Sequence, residues 1–413
     1  MRRATLLLCL LLTASAQADV FRLLDDPRDA AQARVDIIRQ AKHEIDALYF
    51  LARNDRITMA ALALMRDAKR RGVPCVRMIV DANFQHIPRA VLAHLSDEGV
   101  LVRVYHPLTL RHPSWIFRRM HEKVVVADSA RYITGGRNLA ESYFGLAKRN
   151  YIDRDVYVEG SSAIDADRHF DELWESAEVT ALDVSVSPRE KAKASAILDD
   201  AVCRLEQTGI IDAANHDWSS AEVDTVEFLH DPLPDQDEPR LVVRLADAIA
   251  NAKSEIVIES PYLVPTGGVL ALLRRKVAEG VRVRIVTNSL RSSDGLLPYV
   301  GYLKYRRRMR RAGIELHEFK GPDMLHAKSM VIDGRRAFIG SYNVDPRSEN
   351  LNAEAMSVTD DDACAQELLA SIDAHARNSW AVGAIEKRIR PSTASRMRAW
   401  LLRLLLPVYE RQL

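Results

Sequence analysis

Cysteine is scarce in this chain: the 413 residues include only four, with no Cys-x-x-Cys pair and no cluster of cysteine with histidine. Structural zinc sites need such spacings, so the sequence predicts no metal site of that kind. Cys9 lies in an apolar run near the N-terminus, which leaves Cys75, Cys203 and Cys364 in the rest of the chain. An odd number of cysteines leaves at least one thiol unpaired.

A large net charge is also lacking, because 58 basic side chains are nearly balanced by 57 acidic ones, which leaves a formal net charge of +1. A nucleic-acid-binding domain is usually basic, since contacts to phosphate supply much of its affinity. The balance therefore disfavours nucleic acid as a partner, although a local basic patch would still permit it.

No apolar run approaches the about 20 residues that a membrane-spanning helix needs. A short run from Leu6 to Leu12 follows Arg2 and Arg3 and precedes Ala16-Gln17-Ala18. Basic residues, a short apolar stretch and a small-residue site in this order are typical of a secretory signal peptide. We therefore expect residues 1–18 to be removed on export to the periplasm; an uncleaved anchor and a buried first helix are the alternatives.

The sequence does contain two copies of one short motif, the phrase histidine-x-lysine-x4-aspartate. Each copy is followed, after the same interval, by a tetrad that ends in asparagine. The copies with their tetrads are His121-x-Lys123-x4-Asp128 with Gly135-Gly136-Arg137-Asn138, and His326-x-Lys328-x4-Asp333 with Gly340-Ser341-Tyr342-Asn343. Two copies with identical internal spacing predict a duplicated functional site.

The apolar residues after each lysine predict a buried β-strand. Because residues i and i+2 of a strand share a face, each histidine points to the same side as its lysine. Two such lobes facing each other would gather six side chains around one pocket: His121, Lys123, Asn138, His326, Lys328 and Asn343.

This set of side chains suits a phosphodiester substrate. Lysine and asparagine donate hydrogen bonds to the non-bridging phosphate oxygens, where charge is stabilised in the transition state. One histidine attacks phosphorus to form a phosphohistidine, and the other protonates the leaving alkoxide and then deprotonates the acceptor. Because the cationic side chains supply the charge, we expect neither a metal ion nor another cofactor.

The duplicated phrase resembles the signature of the phospholipase D superfamily, and the resemblance covers about residues 20–385. The tetrads and the stretches that follow them, Tyr143-Phe144-Gly145 and Val344-Asp345-Pro346-Arg347-Ser348, are similar to those of bacterial cardiolipin synthases, particularly the cardiolipin synthase C group. The resemblance implies two phospholipase D-like α/β/α lobes packed about a pseudo-twofold axis, with one shared active site.

The resemblance also implies roles for individual residues. The usual pattern makes His121 the nucleophile and His326 the acid and base. A carboxylate downstream of the tetrad is expected to hold a catalytic histidine, and Glu354 in the second lobe and Asp155 in the first are the candidates.

Three further residues of the phrases receive a role. The superfamily often has a serine after the first tetrad glycine; Gly136 stands there in the first lobe, so only Ser341 supplies that hydroxyl. Asp128 and Asp333, which end the two phrases, are expected to be structural and to tie the motif loop to neighbouring backbone.

Elsewhere, predicted helices alternate with predicted buried strands, and this alternation is itself repeated. Residues 28–42 and 239–253 predict amphipathic helices, each followed by an apolar strand, a helix and a strand that begins at a glycine. Such alternation predicts an α/β fold with helices on both faces of each sheet. We place the first lobe at 19–177, a helical connection at 178–222 and the second lobe at 223–388.

The last residues, 389–413, predict a basic amphipathic helix. Its apolar face is formed by Met397, Trp400, Leu401, Leu404 and Leu405, with arginines nearby. Such a helix is typical of segments that lie in a membrane surface; a helix docked on the second lobe is the alternative. We expect peripheral membrane association and infer no obligate protein partner.

The resemblance implies a phosphatidyltransferase that acts on glycerophospholipids and passes the phosphatidyl group to an alcohol such as phosphatidylglycerol. A phospholipase D that uses water as the acceptor shares the same chemistry and remains an alternative. A periplasmic phosphodiesterase or nuclease is a second alternative. A non-catalytic scaffold would predict a damaged motif, and neither copy is damaged.

Overall fold

The computed structural model describes residues 18–109, 112–218 and 222–383. The expected signal peptide, apart from Ala18, and the expected C-terminal helix at 389–413 lie outside these residues. Within the described residues no helix combines the length and the apolar character needed to cross a bilayer.

The first half of the chain contributes eleven strands. They are β1 (Asp19–Leu24), β2 (Glu44–Tyr49), β3 (Cys75–Asp81), β4 (Leu101–Tyr105), β5 (Arg119–Met120), β6 (Lys123–Ala127), β7 (Arg131–Gly135), β8 (Tyr151–Ile152), β9 (Asp155–Glu159), β10 (Val179–Ala181) and β11 (Glu222–Val223). Nine of them form one sheet in the order β10-β4-β3-β2-β6-β7-β9-β1-β11.

Among the described residues, six α-helices accompany these strands: α1 (Pro27–Gln40), α2 (Arg56–Arg70), α3 (Arg89–Asp97), α4 (Ser162–Glu175), α5 (Pro188–Asp199) and α6 (Ala201–Glu206). Local sequence explains several of their starts. Asp26 caps α1 with Pro27 at its first turn, and Asp55 caps α2 by accepting a hydrogen bond from the Thr58 backbone N–H. Ser187 and Glu190 form a capping box at the start of α5.

The second half of the chain contributes the remaining strands: β12 (Val226–His230), β13 (Glu255–Glu259), β14 (Arg282–Asn288), β15 (Glu315–Phe319), β16 (Met324–Leu325), β17 (Ser329–Ile332), β18 (Arg336–Gly340), β19 (Asn352–Ala353), β20 (Ala355–Thr359) and β21 (Ser379–Ala381). Its helices are α7 (Leu241–Asn251), α8 (Gly267–Ala278), α9 (Leu296–Arg311), α10 (Pro346–Asn350) and α11 (Asp362–Arg377).

The second sheet has the order β12-β20-β18-β17-β13-β14-β15-β21. Read from its other end, this order repeats that of the first sheet strand for strand, with β11 as the extra strand of the first lobe. The predicted duplication of two α/β lobes is therefore present in the topology, and each histidine phrase leads into the equivalent central strand, β6 or β17.

The two lobes share a core between their sheets. The equivalent helices α4 and α11 lie there, and α4 packs against β12 of the second lobe while α11 packs against β1 of the first. Phe21, Phe170, Phe228 and Leu368 belong to this one buried cluster. Burial of so much apolar surface across the boundary holds the lobes in a fixed relation.

The stretch at 178–222, which the sequence predicts to be a connection between the lobes, is built into the first lobe. Its ends supply β10 and β11, the two edge strands of the first sheet. Its helices α5 and α6 pack on α3 and α2. The second lobe therefore begins between β11 and β12.

Candidate active site

The two histidines of the repeated phrase lie just before β6 and β17, where the lobes meet. Two short parallel ladders cross the boundary there, β5 with β19 and β8 with β16. The backbone N–H of His121 donates to the Ala353 carbonyl at 2.9 Å, and that of His326 donates to the Ile152 carbonyl at 2.7 Å. Each histidine is thus positioned by backbone of the opposite lobe.

Each histidine ring also contacts a buried carboxylate from the opposite lobe. His121 Nδ1 lies 2.9 Å from Glu354 Oε2, and His326 Nδ1 lies 2.5 Å from Asp153 Oδ2. The two carboxylates directly follow Ala353 and Ile152, so two consecutive residues of one lobe hold the histidine of the other.

Polar side chains fix Glu354 further. It accepts hydrogen bonds from Ser341 Oγ at 2.5 Å, Ser348 Oγ at 2.6 Å and Asn352 Nδ2 at 3.0 Å. Ser341 therefore orients the carboxylate that contacts His121. Sequence reasoning did not single out Ser348 and Asn352 for this function.

The assignment of Asp155 to a histidine requires correction. Its carboxylate forms ion pairs with Arg34 at 2.9 Å and Arg137 at 3.2 Å, and the residue that contacts His326 is Asp153. The strand register explains the difference, because Gly135 pairs with Asp155.

In the second lobe the equivalent glycine, Gly340, pairs with Met356. Asp155 therefore matches Met356, and Asp153 matches Glu354. The segment between tetrad and strand is longer in the first lobe, so counting residues from the tetrad does not locate Asp153. Only the pairing of the strands does.

The two lysines are buried beside their histidines. Lys123 Nζ donates to the His121 carbonyl, and Lys328 Nζ donates to the His326 carbonyl and lies 2.7 Å from His326 Nδ1. Burial lowers the pKa of Lys123 to about 7, and burial likewise lowers the pKa of Lys328. Both ammonium groups would be stabilised by an anion, which makes the centre receptive to phosphate.

Burial also lowers the pKa of both histidines to about 4, with the neighbouring lysine charges acting in the same direction. Although burial alone would raise it, the His121 and Lys123 charges hold the pKa of Glu354 at about 2. A neutral His121 beside an ionised Glu354 follows, with the Nδ1 hydrogen donated to the carboxylate and the lone pair left on Nε2. The charge of the lysine in the other lobe also lowers the pKa of each histidine, which indicates that the two lobes form one common centre.

The tetrad asparagines are not equivalent in the structure. Asn138 donates to the Tyr143 hydroxyl at 2.9 Å and accepts from the Leu51 backbone N–H at 3.1 Å. Asn343 is 3% exposed, yet its Oδ1 has no hydrogen-bond partner among the described residues. Of the two tetrad asparagines, Asn343 is therefore the one whose side-chain oxygen can accept a hydrogen bond from a ligand.

Asp128 and Asp333 lie away from the histidines, in the turns after β6 and β17. Both have a positive φ, 56° and 54°. The Asp128 carboxylate accepts from the backbone N–H groups of Lys42, His43 and Glu44. The Asp333 carboxylate does the same at residues 253–255, so both aspartates connect a motif loop to the start of the adjacent strand.

Aromatic rings surround the histidines. Phe50 lies 5.0 Å from His121 between ring centroids, and Tyr143, Tyr151 and Tyr262 lie 5.3, 5.2 and 6.4 Å from His326. They limit access of water and fix the ring orientations. The sequence contained no spacing that singled out Phe50, Tyr151 or Tyr262.

One acidic group among the described residues has the geometry of a cation site, formed by Glu44, Asp46 and Asp167. Arg77 pairs with Asp46 at 2.7 Å, and Ser129 Oγ lies within hydrogen-bonding distance of both Glu44, at 2.6 Å, and Asp167, at 2.8 Å. Arg77 thus supplies a positive charge to the group, and neither histidine of the centre belongs to it.

Enzymes of the phospholipase D type join two such lobes around a duplicated histidine and lysine, and this chain is one of them. It belongs to the family described as cardiolipin synthase, PLD-like domain, which matches residues 35–174 and 245–376. The two matched segments fall in the two lobes, so the predicted family and the two-lobed fold are confirmed.

Relatives extend over most of the chain. Cardiolipin synthase C of Escherichia coli K12 is 29% identical, across 83% of this chain and 82% of that protein. Cardiolipin synthase A of Pseudomonas fluorescens is 26% identical, across 81% of this chain and 63% of that protein. The crystal structure of phosphatidylserine synthase from Haemophilus influenzae superposes with a TM-score of 0.70 over 96% of this chain and 97% of that one. At 18% identity this last likeness shows the shared fold.

Proposed function

We propose that the protein is a cardiolipin synthase-like phosphatidyltransferase. It takes the phosphatidyl group of a glycerophospholipid onto a histidine and transfers it to an alcohol, the free hydroxyl of phosphatidylglycerol. The observation that carries the proposal is the pair of histidines held across the lobe boundary by Glu354 and Asp153. The similarity to proteins named cardiolipin synthase supports the choice of substrate class.

In the first step His121 Nε2 attacks phosphorus. A nitrogen–phosphorus bond forms, and the bond from phosphorus to the headgroup oxygen breaks. Glu354 holds the Nδ1 hydrogen and stabilises the positive charge that develops on the ring. Three hydrogen bonds fix this carboxylate, which supports His121 as the nucleophile.

His326 supplies the proton to the leaving alkoxide. Its pKa is low in the empty centre, but a bound phosphate anion favours the protonated ring, and Asp153 stabilises it from the other side. After the headgroup leaves, neutral His326 takes the proton of the acceptor hydroxyl. The acceptor oxygen then attacks phosphorus, the bond to His121 breaks, and both histidines return to their starting state.

Lys123 and Lys328 stabilise the negative charge on the non-bridging oxygens, and Asn343 donates to the same oxygens through the N–H groups of its side-chain Nδ2. All three are buried, so their interaction with phosphate is little screened by water. Asn138 is engaged by Leu51 and Tyr143 and acts by shaping the pocket.

Incubation of purified protein with labelled phosphatidylglycerol and phosphatidylethanolamine, followed by analysis of the lipid products, tests the proposal. Cardiolipin is the expected product, and the His121→Ala variant should form none. Phosphatidate as the main product would assign a phospholipase D hydrolase instead. Cleavage of an oligonucleotide without any lipid product would assign a nuclease.

We also propose that the protein acts at the periplasmic surface of a membrane. This rests on the signal-peptide pattern of residues 1–18 and on the basic amphipathic pattern of residues 389–413. Both segments lie outside the two lobes in the sequence. In the proposal they bring the protein to the membrane surface and take no part in the catalytic centre.

A further inference from the structure

The second lobe contains an apolar cavity of about 370 Å³ that the catalytic description does not use. It lies between the second sheet and the helices α7 and α8. Its apolar lining includes Leu245, Ala246, Val269, Leu272, Met330 and Met356. Asp345 and Glu349 also line it, and Asp345 is engaged in capping α10. The volume is more than twice the about 150 Å³ of an engineered cavity that binds benzene.

The equivalent place in the first lobe is filled by buried charges. Arg34 lies on α1 and pairs with Asp155, which also pairs with Arg137. Arg34 further donates to the Tyr49 hydroxyl at 3.1 Å. All of these side chains are buried, so the first lobe has no room for a ligand here.

Because the two lobes are duplicates, their equivalent residues can be compared one by one. Arg137 and Tyr342 are both the third residue of a tetrad. Asp155 corresponds to Met356 by strand register.

Arg34 and Leu245 lie at the same distance before Ala41 and Ala252, the alanines that cap α1 and α7. In the second lobe, Leu245 thus stands in place of Arg34, Tyr342 in place of Arg137 and Met356 in place of Asp155. All three of these second-lobe residues line the cavity.

Part of the cavity lining lies on the same face of the second sheet as Lys328. Lys328 and Met330 are two residues apart in extended chain, so they point to the same side at about 7 Å spacing. Met330 lines the cavity, while Lys328 belongs to the catalytic centre. Asn343, the asparagine with the unpaired oxygen, stands between Tyr342 and Val344, which both line the cavity.

We propose that this cavity binds one acyl chain of the phospholipid whose phosphate occupies the catalytic centre. The inference rests on the proposed function and deepens it, because it names the part of the lipid that the second lobe recognises. An acyl chain is the apolar group that lies within reach when the phosphodiester contacts Lys328 and Asn343. The first lobe, with its charged cluster, would bind no chain at the equivalent place.

Filling the cavity tests the proposal. Ala246→Phe places a ring among the lining residues, while Ala271→Phe adds the same ring to the exposed face of α8 and serves as the matched control. Losing the burial of about two methylene groups corresponds to an about tenfold rise in KM. We expect this rise for a long-chain donor in Ala246→Phe alone, with kcat on a water-soluble short-chain donor unchanged. Equal KM values for both variants on the long-chain donor would overturn the proposal.

Photo-crosslinking separates this inference from the proposed function, because it needs no turnover. A phospholipid with a diazirine in one acyl chain should label peptides of α7 and α8 in the wild type and in Ala271→Phe, and not in Ala246→Phe. Labelling should persist in a His121→Ala background. Absence of label from both helices in an active wild-type enzyme would sink the cavity assignment alone, and would point to another occupant such as the chain's own C-terminal segment. A wild type without any lipid product but with labelled helices would overturn the proposed function alone.

Discussion

His326 Nδ1 lies 2.5 Å from Asp153 Oδ2, and these two residues belong to different lobes. The equivalent contact between His121 and Glu354 crosses the boundary in the opposite direction. Neither lobe by itself therefore contains a histidine with its orienting carboxylate. The shared core and the two cross-lobe ladders are what complete the catalytic centre.

Substituting the two nearby aspartates should separate catalysis from stability. Asp153→Asn removes the charge that stabilises a protonated His326, so kcat should fall by about 100-fold or more. The melting temperature should fall less than in Asp155→Asn, because Lys328, unlike an arginine, can lose its proton when its buried counter-charge is removed. Asp155→Asn leaves Arg34 and Arg137 without their buried counter-charge and should cost about 3–5 kcal/mol of stability. Thermal unfolding and steady-state kinetics on both variants check this. The reverse pattern, with Asp155→Asn inactive but fully stable, would return Asp155 to the catalytic centre.

A phosphohistidine should accumulate on His121. Rapid quenching of wild-type enzyme with a labelled donor and no acceptor alcohol, followed by peptide mapping, measures its position. His326→Ala should trap the label if a donor with a good leaving group is used, because that donor needs no acid. Label on His326 in the wild type would reverse the assigned roles.

The pH dependence of kcat/KM should be bell-shaped. Activity should rise through about pH 4, because His121 must be neutral to attack phosphorus. With a donor whose good leaving group needs no proton from His326, activity should fall above about pH 7, where Lys123 loses its charge in the free enzyme. Lys123→Arg keeps a charge at all these pH values and should move the alkaline limb upward. An alkaline limb that stays in place in this variant contradicts the role of Lys123.

Stability must be followed in the same pH range as a control. Both histidines have folded pKa values of about 4, below the ordinary 6.5. Between these values the unfolded chain binds more protons, so the melting temperature should decrease as pH falls from about 6.5 to about 4. Initial rates measured before any unfolding distinguish the catalytic limb from this loss.

Deleting residues 395–413 should release the protein from membranes and leave activity on soluble short-chain substrates. Full burial of four or five large apolar side chains is worth about 1.5–3 kcal/mol each, and interfacial burial less, which is enough to change partitioning. The arginine contribution should weaken with salt. Liposome co-sedimentation and the melting temperature of the same truncation are the measurements. Unchanged co-sedimentation with a lower melting temperature would identify a docked structural helix instead.

The duplicated phrase was sufficient to predict the family, the two α/β lobes and the residues His121, Lys123, His326 and Lys328. These follow from local regularities: the strand period places histidine and lysine on one face, and apolar runs predict the buried strands that carry them. The alternation of helices and strands likewise predicts the sheets, because each element must bury one face.

Sequence alone singled out both histidines, both lysines and Glu354, and tertiary structure decided which carboxylate meets each histidine. Asp153 and Asp155 are two residues apart in the same short segment, and only the register of β7 with β9 directs the first to His326 and the second to Arg34 and Arg137. Register depends on the pairing of strands distant along the chain and on the packing of both lobes, which local patterns do not contain. The cavity beneath α7 and α8 has the same origin, since a void is set by how separate elements pack and not by any one of them.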